Sequence, residues 1–323
     1  MEHVSAVMDC NQSGKNAFTF RPLLAKDLEH YAKFYNLRPN KTADSVPLES
    51  FLWKDYFHAR AAVTCRNGEQ VGLLWLYGTE KEPFAAMPLC SDENLDFCFY
   101  EMESYFNEEL RKPLVIKLAD EEAVRVLNLD PEKYLVKEEA DAKDYLYEGE
   151  ALRTLAGKKL HKKKNHYNSF IKTYGERYEY RTLTPAYRDQ IFRFLDRWRE
   201  TKGMEVEKHL DPEVEGIHEI LKNLEILPIR MGGVFIDGEL EAFSMASYNA
   251  AEDMAVVHIE KANPEINGLY QVINRDFLNH EFPAVGLINR EDDLGLEGLR
   301  QAKLSYYPSG YARKYLVRQH WKP

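Results

Sequence analysis

Two ionisable side chains, His258 and Glu260, lie two residues apart in Met254–Lys261, an apolar segment that alternates as a β-strand does. Alternate residues of a strand point to one face and lie about 6.5 Å apart, so the pattern predicts that both side chains reach one cavity. An imidazole or a carboxylate placed there could act as the general base that acyl transfer to an amine or a hydroxyl requires. The alternative is a buried histidine with a satisfied hydrogen bond, beside a glutamate paired with a cation.

The last predicted helix supplies groups that could complete this chemistry. Lys303 could stabilise an oxyanion or a donor phosphate, and Tyr306 or Tyr307 could protonate a leaving group. Arg300 precedes them on the same helix and is a candidate substrate ligand. The alternative is that the cations complement the helix dipole and that the tyrosines pack in the core.

Asn289 and Arg290 are candidate substrate-binding residues because they lie at the end of a predicted strand, Ala284–Asn289. Arg290 and the following Glu291 could together bind an amine and a carboxylate. For the two aspartates that come next, Asp292 and Asp293, we favour a simpler role: one of them is the N-cap of the following helix.

A basic segment occupies the middle of the chain. No acidic residue occurs between Glu150 and Glu176, and the absence of proline from Glu148–Thr173 predicts one long helix. Lysines four residues apart on a helix repel one another, so an anionic partner is favoured: the 3′ end of a tRNA, an anionic headgroup or a phosphorylated small molecule. The alternative is a bridging helix that balances the acidic first half. The candidate binding residues are Lys158, Lys159, His161, Lys162, Lys163 and Asn165.

No metal-binding pattern accompanies this segment. His161 and His166 are five residues apart, which places them roughly 140° apart around a helix. No HExxH sequence or carboxylate cluster lies beside them, and the chain also lacks GxSxG, GxxxxGK[ST] and GxGxxG. We therefore predict no metal site, and neither a serine-hydrolase nor a nucleotide-binding motif.

The elements that must position these residues occur in two copies. Apolar periodicity predicts the order β-α-α-β-β-β-α-β-α-β in 1–147 and again in 148–323, where the long basic helix comes first. Each copy contains a hairpin signal, Asn67–Gly68 in the first and Asp237–Gly238 in the second. We therefore predict an α/β protein of two domains, 1–147 and 148–323.

The composition of the chain excludes several classes of protein. A length of 323 residues with 44% hydrophobic residues supplies two cores and excludes global disorder. Counts of 43 basic and 53 acidic residues give a net charge of −10, so any polyanion site must be a local patch. No run approaches about 18 apolar residues, and Met1–Asn16 is polar without an apolar signal core. We therefore expect a cytoplasmic protein without a membrane span.

The element order resembles that of GNAT acyltransferases, here in tandem, and several segments resemble the phosphatidylglycerol lysyltransferase C-terminal domain family, a tandem GNAT group related to Fem-type aminoacyltransferases. Those segments are Asp144–Tyr147, Gly157–Asn165, Asn289–Gly295 and Gly298–Tyr306 with Pro308. The resemblance implies mixed sheets whose fourth and fifth strands separate to admit an acyl donor. It also implies a reaction, since characterised relatives move an aminoacyl group from aminoacyl-tRNA to an amine or a lipid hydroxyl.

The resemblance further identifies Asn263–Gly268 as the counterpart of the loop that binds the coenzyme A pyrophosphate in GNAT enzymes. Here the loop has one glycine, no Lys or Arg, and Glu265, which would repel phosphate. Asn267 and Gly268 are the candidate cofactor contacts, although Gly268 could simply start the next helix. We expect no tightly bound cofactor, and aminoacyl-tRNA or acyl-CoA as co-substrate.

The resulting expectation is an α/β protein of two tandem GNAT-like domains that acts as an acyltransferase on an amine or a hydroxyl. One alternative is a non-catalytic GNAT-like module that binds RNA or an anionic surface through its basic helix. Another is a coenzyme A-dependent N-acetyltransferase with a degenerate pyrophosphate loop. The predicted catalytic residues are Glu260, His258, Lys303 and Tyr306.

Overall fold

A computed structural model describes residues 18–202 and 210–321. Residues 1–16, whose polar composition underlies the cytoplasmic expectation, lie outside that part. The helices are α1 (Asp27–Tyr35), α2 (Pro47–Leu52), α3 (Asp92–Ser104), α4 (Glu121–Leu127), α5 (Gly149–Thr154), α6 (His161–Tyr174), α7 (Arg188–Lys202), α8 (Leu210–Lys222), α9 (Leu269–Glu281) and α10 (Glu297–Leu304). None of the helices in the described ranges is both long enough and apolar enough to cross a bilayer.

Fifteen strands accompany these helices in the described part of the chain. They are β1 (Arg21–Pro22), β2 (Arg60–Arg66), β3 (Glu69–Gly78), β4 (Pro83–Ala85), β5 (Leu89–Cys90), β6 (Val115–Asp120), β7 (Tyr134–Glu138), β8 (Asp144–Glu148), β9 (Tyr178–Thr182), β10 (Arg230–Ile236), β11 (Glu239–Asn249), β12 (Met254–Ala262), β13 (Leu287–Asn289), β14 (Gly310–Ala312) and β15 (Lys314–Gln319).

The strands form two mixed sheets. The order in the first sheet is β1-β2-β3-β4-β6-β15-β7, with β5 beside β3, and the order in the second is β14-β8-β13-β12-β11-β10-β9. In both sheets a run of antiparallel strands leads to a parallel pair, β4 with β6 in the first and β12 with β13 in the second. The predicted α/β fold with two GNAT-like mixed sheets is confirmed.

The chain divides into two compact units that are discontinuous in sequence. Among the described residues, unit 1 contains 18–40, 54–139 and 314–321, and unit 2 contains 41–53 and the part of 140–313 that is described. The predicted domains, 1–147 and 148–323, are continuous instead. The difference arises because β8 pairs with β13 and β14, whereas β15 pairs with β6 and β7. These pairings are tertiary contacts, which a local sequence pattern does not identify.

The predicted long basic helix is two helices. Leu155 has a left-handed backbone conformation, with φ of 49°, which ends α5. The chain then turns before α6 begins at His161, so Lys158 and Lys159 precede that helix. The repulsion expected between lysines four residues apart on one helix therefore does not apply to these two.

The central strands of unit 2 have helices on both faces. On one face α5, α6 and α9 pack together, and Phe170 and Phe277 are fully buried in their shared core. On the other face Phe194 of α7 lies 5.6 Å from Phe243 of β11, between ring centroids, and α2 packs against α8. Burial of each large apolar side chain contributes about 1.5–3 kcal/mol. The segment that carries α2 is thus part of unit 2, far along the sequence from the strands of that sheet.

Candidate active site

The backbones of β12 and β13 separate after three paired residues. Their parallel pairing ends at Val256 and Asn289. Beyond that point β12 continues along β11, whereas the N–H of Arg290 donates to the carbonyl oxygen of Tyr145 in β8, at 3.0 Å. We call this separation the gap. It lies where the GNAT-like fold is expected to admit an acyl donor.

A β-bulge decides which side chains of β12 share a face. Ala246 pairs with Val257 and the residue before it in β11 pairs with Ile259, so His258 is an extra residue in the ladder. As a result His258 contacts α2, whereas Glu260 contacts α9 on the opposite face. The prediction that the two side chains reach one cavity is wrong, because a bulge leaves no trace in an alternating apolar pattern.

Glu260 forms an ion pair across the gap. Its Oε1 accepts a hydrogen bond from Arg290 Nη2 at 3.0 Å, and its Oε2 accepts one from Asn274 Nδ2 of α9 at 2.9 Å. The side chains of Glu260 and Arg290 are 12% and 13% exposed. Among the described residues, Nη1 of Arg290 has no hydrogen-bond partner although it is buried. Leaving such a donor unsatisfied is costly, so this nitrogen is available to a ligand oxygen.

The ring of Tyr306 brings two cations together beside this pair. The Arg290 guanidinium lies 4.9 Å from the ring centroid and the Lys163 ammonium lies 4.2 Å from it. Burial, reinforced by the charge of Arg290, lowers the pKa of Lys163. Burial raises the pKa of Tyr306 to about 12. We call the following residues the Glu260 cluster: Glu260, Asn274, Arg290, Tyr306 and Lys163.

His258 belongs to a second group, the His258 cluster, which consists of His258, Glu49, Glu291 and Ser247. Nδ1 of His258 lies 2.8 Å from Glu291 Oε1 and 3.0 Å from Glu49 Oε2, and Nε2 lies 3.0 Å from Ser247 Oγ. Burial alone would lower the pKa of His258, but the hydrogen bonds to Glu291 and Glu49 outweigh it and raise the pKa to about 9. Burial and the charge of Glu49 raise the pKa of Glu291 well above its usual range. Both ring nitrogens of His258 are engaged within this cluster, whereas Glu260 lies beside the gap, so the geometry favours Glu260 as the base.

Three members of these clusters were not predicted from the sequence. Glu49 precedes His258 by 209 residues and falls in the first of the two predicted domains, although the structure places it in unit 2 with His258. Ser247 had no distinguishing pattern. Asn274 offered one usable signal, because it is a polar residue on the buried face of α9.

Lys303 and Asn289 hold the loop after β13. Lys303 Nζ donates to the carbonyl oxygen of Arg290 at 2.5 Å and to that of Asp292. Asn289 Nδ2 donates to the carbonyl oxygen of Lys41 at 2.8 Å, and its Oδ1 accepts from the backbone N–H two residues later at 2.6 Å. These contacts give both side chains a positioning role. Contact of either with an oxyanion or a substrate stays a prediction.

Arg300 lies apart from both clusters. Its Nε and Nη2 donate to Asp293 at 2.8 and 3.1 Å, and Nη2 also donates to Asp141 at 3.0 Å. The hydrogen bond from Arg300 is the main reason that the pKa of Asp293 is lowered to about 2. The guanidinium is therefore engaged in holding α10 to the preceding loop.

The remaining predicted binding residues are mostly at the surface. Lys163 of α6 points inward, and Lys159 approaches the ring of Tyr307, with 5.7 Å between its Nζ and the centroid. Asn267 is exposed as well. The exposed members of the basic segment are Lys158, Lys159, His161, Lys162 and Asn165.

Gly268 has a packing reason for being glycine. Its φ is +85°, and a Cβ atom there would lie 2.5 Å from the carbonyl oxygen of His166 in α6. The loop before α9 is thus pressed against α6. This contact is sufficient to explain why residue 268 is a glycine, whether or not a cofactor binds there. Cofactor binding by Asn267 and Gly268 stays a prediction.

A family model described as "Phosphatidylglycerol lysyltransferase, C-terminal" matches residues 51–318. The chain belongs to this family. A relative, an uncharacterized protein of Mycoplasmoides gallisepticum, is 26% identical over 175 residues, which are 54% of this chain and 56% of that protein. The match therefore spans little more than half of this relative's own length.

Solved structures share the fold of this member of the lysyltransferase C-terminal family. A conserved protein of unknown function from Bacteroides thetaiotaomicron has a TM-score of 0.84 and 26% identity, with 94% of this chain and 99% of that chain covered. The C-terminal domain of a putative lysylphosphatidylglycerol synthetase from Agrobacterium fabrum has a TM-score of 0.65 and 13% identity, with 92% of each chain covered. The family resemblance drawn from the sequence is confirmed.

Proposed function

We propose that this protein is an acyltransferase that moves an aminoacyl group from aminoacyl-tRNA onto an amine or a hydroxyl. The reacting carbonyl would occupy the gap. The observation that carries the proposal is the pair formed by Glu260 and Arg290, which spans the gap and leaves a buried guanidinium N–H free of any acceptor among the described residues. Membership of the lysyltransferase C-terminal family and the GNAT-like fold support acyl transfer as the class of reaction.

The Glu260 cluster contains the groups that this reaction needs. Glu260 takes the proton from the attacking amine or hydroxyl as the new bond to the carbonyl carbon forms. Arg290 Nη1 donates to the oxyanion of the tetrahedral intermediate. When the bond to the tRNA ribose oxygen breaks, that oxygen must receive a proton. Lys163 suits this step better than Tyr306, because burial lowers the pKa of Lys163 and raises that of Tyr306 to about 12.

Two features favour a tRNA donor over coenzyme A. The exposed basic segment leads into the Glu260 cluster, since Lys159 lies beside Tyr307 and Lys163 lies over Tyr306. A polyanion bound along this segment would end at the gap. The loop before α9, in contrast, carries Glu265 and no lysine or arginine, and the carbonyl oxygen of a residue in α6 presses against it. The negative charge of Glu265 and the close packing against α6 would both disfavour binding of a pyrophosphate in this loop.

Transfer assays with two donor classes test the proposal. The protein is incubated with a mixture of tRNAs charged with radiolabelled amino acids or, separately, with labelled acyl-CoAs. Free amines and phosphatidylglycerol vesicles serve as acceptors. We expect label to leave aminoacyl-tRNA and to appear in an acceptor only when the protein is present. Turnover of acyl-CoA alone would overturn the donor assignment, and turnover of neither donor would overturn the proposal.

The exposed lysines also support a second candidate, a module that binds RNA without catalysis. A double variant, Lys158→Gln with Lys162→Gln, removes two exposed charges of the basic segment. Under this candidate the wild type binds uncharged tRNA in a fluorescence anisotropy assay, the double variant binds it more weakly, and neither transfers label. Transfer by the wild type would exclude this candidate.

A further inference from the structure

The His258 cluster has the composition of a metal site. One imidazole nitrogen and two carboxylate oxygens, from His258, Glu49 and Glu291, all lie within 4.8 Å of one another. They come from three segments that are distant in sequence: the bulge of β12, helix α2 and the loop after β13. We infer that these three side chains bind one divalent metal ion, for which Zn²⁺ is the best match.

Hydrogen-bond counting at His258 supports this inference. Both carboxylates face the same nitrogen, Nδ1, which carries at most one hydrogen. The other nitrogen, Nε2, faces Ser247 Oγ at 3.0 Å. The single hydrogen that Nδ1 can carry therefore faces two carboxylate oxygens, at 2.8 and 3.0 Å. A divalent cation in place of that hydrogen would attract all three atoms at once, and Ser247 would orient the ring as outer partners of metal-bound histidines do.

Charge and access also fit a divalent ion. When a metal ion displaces the hydrogen from Nδ1, the imidazole and the two carboxylates together carry a charge of −2, which one Zn²⁺ balances. The His258 side chain is 0% exposed, whereas Glu49 and Glu291 are 15% and 19% exposed, so water can reach the carboxylate side as a further ligand. The ligand separations from Nδ1, 2.8 and 3.0 Å, would expand to about 3.3 Å for tetrahedral bonds near 2.0 Å.

The choice of Zn²⁺ follows from the mixed ligand set. Mg²⁺ and Ca²⁺ prefer all-oxygen sites, whereas an imidazole with carboxylates suits Zn²⁺ and its transition-metal neighbours. Such an ion would join α2 to the residue that follows Arg290. It would therefore fix the loop that carries one side of the gap, without contact to the Glu260 cluster.

Metal binding to the full chain tests the inference. Protein stripped with a chelator is titrated with Zn²⁺ by calorimetry, and its bound metal is counted by mass spectrometry. We expect one Zn²⁺ per chain and a higher melting temperature with the metal. His258→Gln should abolish this binding, and Ser247→Ala should weaken it about 10-fold or more. His166→Asn, which alters an exposed histidine, is the matched control and should bind as the wild type does.

Cobalt provides a spectroscopic check that does not depend on the histidine variant folding. Co²⁺ in the wild type should give visible absorption bands, and Glu49→Gln should lose them. The inference is overturned if the wild type binds neither metal at a modest excess. It is also overturned if His258→Gln, folded by circular dichroism, or Glu49→Gln binds as tightly as the wild type. These readouts measure binding, so they are independent of any transfer assay.

Discussion

Glu260 and Glu213 are both largely buried carboxylates paired with a cation, but of the two only Glu260 lies beside the gap. Glu260 pairs with Arg290, and Glu213 pairs with Lys261 on the opposite face of β12. The two residues therefore form a matched pair for mutation. A structural requirement for a buried carboxylate would affect both, whereas a catalytic requirement would affect Glu260 alone.

Glu260→Gln should lower the rate of acyl transfer by about 10²–10⁴-fold, because the amide keeps the shape of the side chain but does not accept the proton. Glu213→Gln should leave the rate unchanged. Single-turnover transfer from charged tRNA measures both variants. Equal losses in the two variants, or full activity in Glu260→Gln, would contradict the assignment of Glu260 as base.

Lys303 should give the protein a pH-dependent stability. Burial lowers its pKa to about 8, whereas its pKa in the unfolded chain is close to the ordinary 10.5. Between these values the unfolded state holds a proton that the folded state has lost. The contribution of Lys303 to stability must therefore rise with pH across this window.

Denaturant unfolding of the wild type and Lys303→Met at several pH values measures this contribution. Loss of the two hydrogen bonds to backbone carbonyls gives the variant a constant deficit in the free energy of unfolding. In addition to that deficit, the free energy of unfolding of the wild type should rise relative to that of the variant from about pH 8 to about pH 10.5. A difference that stays constant or shrinks over this window would contradict the lowered pKa.

At the scale of elements, the packing of α6 against the start of α9 rests on Gly268. Gly238, in the hairpin between β10 and β11, is a useful reference because it has nearly the same φ, +87° against +85°, and open space where a Cβ atom would lie. Gly238→Ala should cost about 1 kcal/mol for the left-handed backbone alone. Gly268→Ala should cost roughly 1–3 kcal/mol more, because its Cβ would meet the backbone of α6.

Thermal or urea unfolding of the two alanine variants gives the difference directly. Equal losses of stability would show that α6 yields to the added methyl group at little cost. That result would contradict the close packing described between this helix and the loop before α9.

The elements with strong local signals were predictable, and those that depend on tertiary partners were not. Alternation located β12, which was predicted at Met254–Lys261, and the Asp237–Gly238 signal located the hairpin of β10 and β11. The strand β8 was missed because its residues, Asp144–Glu148, are buried on both faces and show no alternation. The break at Leu155 was missed because leucine rarely adopts a left-handed conformation.

At the scale of the whole chain, unit 2 requires segments from outside the C-terminal half. A fragment of residues 148–323 lacks all but the last residue of β8, which lies between β13 and β14, and it lacks α2, which packs against α8. The gap would then lose one side, because the residue after Asn289 pairs with β8. We expect this fragment to show no cooperative unfolding transition by circular dichroism. A transition with the stability of the intact chain would contradict the assignment of units.

The candidate site was also predictable only in part, because some of its contacts depend on tertiary partners. Resemblance and residue type located Glu260, Arg290 and Tyr306, which the structure brings together. The separation of His258 from Glu260 depends on one bulge, and the partnership of His258 with Glu49 depends on a segment 209 residues away. Neither is encoded in a local pattern, so only the three-dimensional structure reveals two clusters where the sequence indicated one.

The most direct measurement is a crystal structure with a hydrolysis-resistant donor analogue, an adenosine whose ribose carries an aminoacyl group through an amide bond. The account predicts that the analogue's carbonyl oxygen accepts a hydrogen bond from Arg290 Nη1, with Glu260 within reach of the acceptor side. An analogue bound at unit 1, or beside His258 with the pair of Glu260 and Arg290 untouched, would contradict it.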